Sequence, residues 1–372
     1  MVLMIIAVAT GTGLQKEIQG KLIGFTGHIQ VTKFDMNASY ESPAISIEQD
    51  FYPHISFTGF THIQKYATKA GILKSQSDFE GLVLKGISDD YNLDYLNSVL
   101  VSGVIPKYGA FRNDSILVSK HIKALLKLNL GDTAQMFFMQ KAPKPPRIRN
   151  FVIAGVYETG LEDIDNNFIV GNFDHIKRLN RWDENEAGGF EVFIDDFDQL
   201  DQQASFLKSE IPFDLTAESL KRKNEKIFQW LDLFDMNIYI IIVIMLLVAS
   251  LNMIMALFII ILERAQLIGI LKTLGANNLS IRNIFLRQSA SLIFKGMFWG
   301  NLIGIGFCYL QKFTGLIKLD QSTYYVTEVP IDINWLYILG LNLGIFITCL
   351  LAMMVPSLLV TRIKPVKVLR FD

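Results

Sequence analysis

The sequence predicts a membrane protein in which an α-helical transmembrane bundle carries a large α+β domain. Three long apolar runs follow residue 235, and each exceeds the ~20 residues that cross a hydrocarbon core about 30 Å thick. Residues 20–235 instead alternate short strand-like and helix-like patterns, which is typical of an α+β domain. A shorter apolar stretch at the start indicates a partial span, so we expect three full spans and a partial N-terminal one.

The N-terminal stretch, Met1 to Ala9, is apolar but too short to cross a membrane, and Thr10-Gly11-Thr12-Gly13 follows it directly. A signal peptide is one interpretation, because Ala7-Val8-Ala9 resembles a cleavage site, but no basic region precedes it. The alternative is the second half of a transmembrane helix whose beginning is absent. We favour the second interpretation and assign residues 1–19 to the remainder of a first transmembrane helix.

The three predicted spans cover residues 236–262, 289–311 and 335–361. Lys295 lies near the start of the second span, where its long side chain can reach the interface, and Pro356 lies near the end of the third. Three such runs so close together argue against buried core helices of a soluble protein.

The short connecting segments predict the orientation. Residues 263–288 and the tail 362–372 each carry four basic residues and one acid, whereas residues 312–334 carry two basic residues and three acids. Because short basic loops stay in the cytoplasm, we expect 263–288 and 362–372 to be cytoplasmic. The loop 312–334 and the domain 20–235 then lie outside.

Within the outer domain, a stalk helix is predicted over residues 219–235. Ile227, Trp230, Leu231 and Phe234 recur at i, i+3, i+4 and i+7 and form one apolar stripe. The pattern runs directly into the first full span, so we expect one continuous rod. The other predicted elements of the domain are short: strands at 28–32, 79–84, 116–119, 134–139, 151–157, 167–170 and 190–194, and helices at 121–128, 173–180 and 197–210.

The segment MQKAPKPPRIRNF, residues 139–151, combines prolines with basic side chains between strand-like flanks. Proline cannot donate a hydrogen bond to a strand ladder, so the segment is an edge, a bulge or a projecting loop. Two interpretations are open at this point. Its prolines and charges prevent edge-to-edge aggregation, or it is an arm that docks a soluble partner.

No catalytic motif is present. The sequence has no G-x-x-x-x-G-K-[ST], H-E-x-x-H or G-x-S-x-G pattern, and residues 162–165 lack the spacing of a calcium loop. Both cysteines, Cys308 and Cys349, lie in apolar runs, so residues 20–235 contain neither a disulfide framework nor a cysteine metal site. His54 and His62 are interpreted as surface or capping residues and not as metal ligands. Basic residues are dispersed at a net charge of −1, so we expect no nucleic-acid partner. Because the catalytic and metal-binding motifs are missing, we also expect no enzyme, no metal site and no cofactor bound by this chain.

The stretch LERAQLIGILKTLGA, residues 262–276, predicts a short amphipathic helix between the first two full spans. Its apolar stripe consists of Leu267, Ile270, Leu271 and Leu274, and Gly275 is expected to end the helix. A helix this short is unstable alone in water, so it packs on the membrane surface or on a partner. The pattern by itself does not separate these two alternatives.

This stretch resembles the cytoplasmic coupling helix of the FtsX/MacB superfamily of ABC permeases, and the tail VPSLLVTRIKPVKVLRFD resembles the ending of the same superfamily. Four other stretches are closer to one branch, the LolC/LolE-type lipoprotein-releasing permeases. They are LQKEIQGKLIGFTGHIQV, GLVLKGISDDYNLDYL, LVSKHIKALLKLNLGD and YYVTEVPIDINWLYIL. The resemblance covers nearly the whole chain and departs from the family only at the shortened start.

The resemblance implies a MacB-like periplasmic domain on a multi-pass permease of the bacterial inner (cytoplasmic) membrane. Such a non-catalytic subunit extracts lipoprotein cargo and hands it to a periplasmic carrier, driven by a separate ABC ATPase that binds ATP-Mg. A second permease subunit completes a homo- or heterodimer. The alternative is a MacB- or FtsX-like mechanotransmission permease that acts on a periplasmic efflux partner or a wall hydrolase.

The resemblance also implies two sites. An ATPase-coupling site is expected at Glu263, Arg264, Leu267, Ile268, Gly269, Leu271, Lys272, Leu274 and Gly275. A carrier-docking hook is expected at Pro143, Lys144, Pro145, Pro146, Arg147 and Arg149.

Overall fold

The structure is a computed structural model that describes residues 1–35, 40–53, 58–76, 78–109, 113–140 and 143–357. His54, Lys141, residues 358–361 of the third predicted span and the tail 362–372 lie outside the described residues. The chain divides into two compact units. The helical unit comprises Met1–Glu17, Gln229–Leu319 and the described residues from Glu328 onward, and the sheet unit comprises Ile18–Phe228 and Asp320–Thr327.

The sheet unit is built on a mixed sheet. Its strands within the described ranges are β1 (Ile29–Lys33), β2 (Ile45–Ser46), β3 (Phe60–Lys74), β4 (Phe79–Ile87), β5 (Leu100–Gly103), β6 (Ser115–Ser119), β7 (Thr133–Phe138), β8 (Arg147–Tyr157), β9 (Phe168–Asn172), β10 (Glu186–Ala187), β11 (Gly189–Ile194) and β12 (Leu215–Ser219). The main sheet has the order β12-β1-β11-β3-β4-β9-β6-β8-β5, and β7 pairs with both β3 and β8. Strands β3, β4, β9, β6, β8 and β7 therefore form a closed circuit, with parallel pairs at β4/β9 and β6/β8.

The core of the sheet unit lies within this circuit. Leu73, Leu84, Met136, Phe138 and Phe151 are each less than 1% exposed and belong to one cluster. Short helices accompany the strands: α2 (Asp94–Ser98), α3 (Lys120–Leu125), α4 (Glu162–Asp165), α5 (Phe173–Asn180), α6 (Leu200–Glu210), α7 (Leu220–Lys223) and α11 (Gln321–Tyr324). The mixture of sheet and helices confirms the α+β prediction for this domain.

The longest strand, β3, was not among the predicted strands. Its residues 60–66 pair with β11 and its residues 66–74 pair with β4, and residues 72–74 also pair with β7. In its first half, buried residues come in adjacent pairs, Ile63-Gln64 and Tyr66-Ala67, and the buried side chains include the polar Gln64 and Lys69. The period-2 apolar pattern that identifies a half-buried strand is therefore lost in its sequence.

The helical unit contains α1 (Val2–Thr26), α8 (Glu225–Glu263), α9 (Ala265–Thr273), α10 (Asn278–Thr314) and α12 (Trp335–Ser357), of which α1 and α8 extend into the sheet unit. Within the described ranges, α8, α10 and α12 are long and apolar enough to cross a membrane, as predicted. The predicted stalk differs at its start. Residues up to Ser219 belong to β12, Ser219 caps α7, and α8 begins only after Asn224.

The first helix extends beyond residue 19, where the predicted remainder of the first transmembrane helix ends, and residues 10–13 do not interrupt it. Helix α1 continues through this stretch to Thr26, and Gly11 and Gly13 lie where other segments of the chain come close to the helix. A Cβ at Gly11 would overlap the side chain of Ile238 on α8, and a Cβ at Gly13 would overlap the carbonyl of Pro330. The backbone N–H of Asp332 donates to the Ala9 carbonyl (3.0 Å), which fixes the 330–332 segment on α1.

Helices α10 and α12 are joined by a reciprocal amide pair. Asn301 Nδ2 donates to Asn342 Oδ1 at 2.7 Å, and Asn342 Nδ2 donates to Asn301 Oδ1 at 3.0 Å. Each amide also donates to the carbonyl four residues earlier on its own helix. Because both amides are paired, they can hold the two apolar helices together without leaving an unpaired polar group in the lipid.

His28 makes the stability of the protein pH-dependent. Burial lowers the pKa of His28 to about 4, and its Nδ1 accepts from the Ile194 N–H (3.3 Å). As the pH falls, His28 therefore takes up a proton near pH 6.5 in the unfolded chain but only near pH 4 in the folded protein. The folded state is thus favoured by neutral His28. We expect this contribution of His28 to the free energy of unfolding to be lost as the pH falls from about 6.5 to about 4, and to be absent below pH 4.

The variant His28→Asn keeps an acceptor near the Ile194 N–H and removes the titration. Thermal unfolding of the intact protein in detergent between pH 7 and pH 4 measures the difference. The wild-type midpoint should fall more steeply than the midpoint of the variant. Parallel curves would contradict this prediction.

Candidate functional site

The predicted coupling segment forms a helix set off from its neighbours at both ends. Helix α8 ends at Glu263 and α9 starts at Ala265, with Arg264 in a non-helical conformation (φ −100°, ψ 14°) between them. At the other end, Gly275 has φ +92°, its N–H donates to the Lys272 carbonyl (3.1 Å), and the Ala276 N–H donates to the Leu271 carbonyl (3.0 Å). These two bonds form a Schellman motif, so Gly275 ends the helix as predicted.

The next helix, α10, begins immediately after this turn. Asn277 caps it, because its side-chain oxygen accepts from the Ser280 N–H at 2.7 Å. Short and specific turns thus connect α9 to both α8 and α10. Helix α9 is therefore joined to each of the two apolar helices by one short turn.

One side of α9 is buried in its own unit. Ile268 is fully buried in a cluster that includes Ile261, Ile281 and Phe285, with Leu271 partly buried against it. Gly269 is buried as well. The structure therefore corrects the expectation that Ile268 contacts a partner, because its side chain attaches α9 to α8 and α10.

The opposite side of α9 exposes an apolar surface. Leu267, Ile270 and Leu274 are 48%, 42% and 78% exposed, and we call these three residues the α9 surface. Glu263 and Arg264 are exposed beside it, while Lys272 is partly buried. An exposed apolar stripe on a short helix is suited to insertion in the groove of another protein. Ile270 belonged to the predicted stripe but not to the residues implied by the resemblance.

The predicted hook is the end of a β-hairpin. Strands β7 and β8 pair in antiparallel register up to Phe138 and Arg147, and Pro143, Lys144, Pro145 and Pro146 are exposed in the connection between them. The prolines lie where no strand partner is required, in agreement with a projecting loop.

The two arginines of the hook are at its base. Arg147 Nη1 donates to the carbonyls of Leu179 (2.8 Å) and Arg178 (3.3 Å) at the C-terminal end of α5. This cation stabilises the end of the helix and anchors the hairpin, so Arg147 is not a free docking group. Arg149 Nη1 donates to the Ile148 carbonyl at 3.0 Å.

Two apolar residues near the hook were not predicted. Met139 is 61% exposed and Ile148 is 47% exposed, and they flank the two ends of the connection. The alternation Arg147-Ile148-Arg149 was a signal that Ile148 lies on the face opposite the anchoring arginine. Within the described residues, no group of three His, Cys, Asp or Glu side chains is placed to hold a metal ion.

Residues 239–365, which contain α9, match the family described as FtsX-like permease C-terminal. Over the whole chain, the lipoprotein-releasing system transmembrane protein LolC of Xylella fastidiosa (strain Temecula1) is 22% identical, and the match covers 99% of this chain and 90% of that protein. LolC of Neisseria meningitidis serogroup B is 21% identical, with 99% and 91% covered.

LolE of Haemophilus influenzae is 26% identical over a shorter region, 49% of this chain and 45% of that protein. Among solved structures, the periplasmic region of MacB from Actinobacillus actinomycetemcomitans is 14% identical. That match covers 55% of this chain and 95% of the MacB chain, with a TM-score of 0.37.

Proposed function

We propose that this chain is a lipoprotein-releasing ABC permease subunit. It is similar to the LolC transmembrane proteins along nearly its whole length, and its residues 239–365 match the FtsX-like permease family. It extracts lipoproteins from the bacterial inner membrane and hands them to a periplasmic carrier. A separate ABC ATPase supplies the energy, and a second permease subunit completes the transporter.

The extent of the similarity is the observation that carries this proposal. The match to LolC covers 99% of the chain and so includes the sheet unit as well as the apolar helices. A match confined to residues 239–365 would favour FtsX-like permeases in general, including those that act on an efflux partner or a wall hydrolase.

The α9 surface is the proposed contact with the ATPase. Leu267, Ile270 and Leu274 insert into a groove of that subunit, and Glu263 and Arg264 make polar contacts at its edge. When two ATPases close around ATP, α9 moves with them. The turns at Arg264 and Gly275 pass this movement to α8 and α10, and α8 continues without interruption from Glu225 to Glu263.

The sheet unit also supports the proposed topology. The Asp320–Thr327 segment, which lies between α10 and α12, belongs to this unit, and Lys21 Nζ donates to the Tyr325 carbonyl at 2.9 Å. Between residue 228 of the sheet unit and this segment the chain crosses the membrane twice, in α8 and in α10, so both parts of the unit lie on the same side. This agrees with a periplasmic sheet unit and a cytoplasmic α9.

Depletion of this protein in its own host tests the proposal. Lipoproteins destined for the outer membrane should then accumulate in the inner membrane, and purified transporter in vesicles should release lipoprotein to the carrier only with ATP. Normal sorting after depletion would contradict the proposal. Co-purification with a wall hydrolase or an efflux channel would support the alternative.

The exposed connection of the hook, residues 143–146, is the proposed contact with the periplasmic carrier. Replacing residues 143–146 by Gly-Ser-Gly-Ser removes the exposed prolines and Lys144 but leaves the Arg147 anchor, so the hairpin should stay folded. We expect carrier binding to weaken by about tenfold or more, the size of a hot-spot loss. Replacement of the exposed pair 183–184 by Gly-Ser is the control, and equal binding by wild type and both variants would contradict a docking role.

A further inference from the structure

A buried ion pair lies where α1 ends on the sheet. Lys85 of β4 and Glu191 of β11 are 3% and 1% exposed, and Lys85 Nζ lies 2.6 Å from Glu191 Oε1. Burial lowers the pKa of the Lys85 ammonium, and Glu191 opposes that shift. Gln64 Nε2 donates to the other oxygen of Glu191 at 2.8 Å, so both carboxylate oxygens have a partner.

The Lys85 ammonium also holds the end of α1. It donates to the backbone carbonyl of Phe25 in the last turn of that helix, and to the Tyr91 hydroxyl at 3.1 Å. Its three N–H donors are therefore all used. The carbonyl end of a helix carries partial negative charge, so a buried cation there is favourable. The ring of Phe25 lies 4.5 Å from Nζ and adds a cation–π contact.

A second branch connects the same turn of α1 to the start of α8. Lys223, at the end of α7, donates to Gln30 Oε1, and Gln30 Nε2 donates to the Thr26 carbonyl at 3.1 Å. Helix α8 begins two residues after Lys223. The last turn of α1 is thus bound by side chains from β4, from β1 and, through β1, from the segment that leads into α8.

We propose that Lys85 is a positioning residue that fixes the end of α1 to the sheet, so that a displacement of α1 during transport moves the sheet unit with it. This inference rests on the proposed transport function. A buried ion pair is weak support for stability alone, because apolar replacements of such pairs are often as stable. The direct bond to a helix carbonyl gives this pair a mechanical role that a simple core pair lacks.

The variant Lys85→Met tests this role in the complete transporter. Methionine fills the volume of the lysine stem but cannot donate to the Phe25 carbonyl. We expect ATP hydrolysis to continue while lipoprotein released per ATP falls by about fivefold or more, the lower range of coupling between distant sites.

Lys69→Met is the matched control. Lys69 is also a sheet lysine, 10% exposed, and lies 3.4 Å from Glu41. It should leave release per ATP unchanged. Equal release per ATP by Lys85→Met and the wild type would overturn the inference.

A second measurement decides the question if Lys85→Met does not fold. The milder variant Glu191→Gln keeps the shape of the side chain and weakens its hold on Lys85, with Glu41→Gln as its control. Hydrogen exchange of the Gly27 amide, which donates to the Ile23 carbonyl in the last turn of α1 (2.8 Å), should become several-fold faster only in Glu191→Gln.

Unchanged exchange in Glu191→Gln would overturn the inference even if the variant is active. If wild-type transporter releases no lipoprotein with ATP, the proposed function fails instead. The exchange result is independent of transport, so the two failures are distinguishable.

Discussion

The double variant Leu267→Asp/Leu274→Asp should lose its ATPase partner while keeping its own fold. Both side chains are strongly exposed in this chain, so the carboxylates remain in water when the permease is alone. In the complex they would be buried against apolar groups, and an unpaired buried charge costs several kcal/mol. We expect affinity for the ATPase to fall by more than about a hundredfold, which corresponds to roughly 3 kcal/mol. Co-purification and ATP hydrolysis of the complex measure the loss.

Two further variants separate binding from folding. Leu125→Asp places the same charge on α3 of the sheet unit, where the leucine is 44% exposed, and should not affect the ATPase. Ile268→Asp buries a charge in the cluster beneath α9 and should lower the yield of folded protein. If the double variant retained its ATPase, α9 would have to lie on the membrane surface, and the coupling role would be lost.

The variant Gly13→Val should strongly destabilise the packing of α1. A Cβ there would overlap the backbone carbonyl of Pro330 and crowd the N–H of Asp332, and backbone atoms cannot move aside as a flexible side chain can. Displacing this segment also breaks the bond from Asp332 to Ala9 and the ion pair between Lys16 and Asp332 (2.6 Å). We expect a loss of about 1–3 kcal/mol, the usual range for overpacking, measured by unfolding in detergent.

Gly20→Val is the matched control, because Gly20 lies in the same helix and a Cβ added there would have no neighbouring atom within 4 Å. Both variants change helix propensity by the same amount, so their difference reports the close approach at Gly13. Equal midpoints for the two variants would show that α1 does not pack on the 330–332 segment in the folded protein.

Much of the architecture follows from local patterns in the chain. Helices α8, α10 and α12 were predictable because apolar runs of this length have few alternatives. The end of α9 at Gly275 was predictable because a left-handed residue after a helix favours glycine. The exposed prolines of the hook followed from the inability of proline to join a ladder.

Other features depended on contacts between residues far apart in the chain. The composition of β3 could not reveal a strand that pairs with β11 over one half and with β4 and β7 over the other. Nothing in the sequence of residues 10–13 indicated that Ile238 and the carbonyl of Pro330 lie against its two glycines. Nor did the spacing of Lys85 and Glu191 indicate that they meet at the end of α1.

The sequence by itself determined the apolar helices, the short helix between two of them and its stop, because each depends on neighbouring residues. Only the tertiary structure decided that Ile268 is buried while Leu267, Ile270 and Leu274 are exposed, and that Arg147 anchors the hook. The face that a short helix leaves free is set by what packs on its other side. In α9 those residues come from α8 and α10, and periodicity alone cannot identify them.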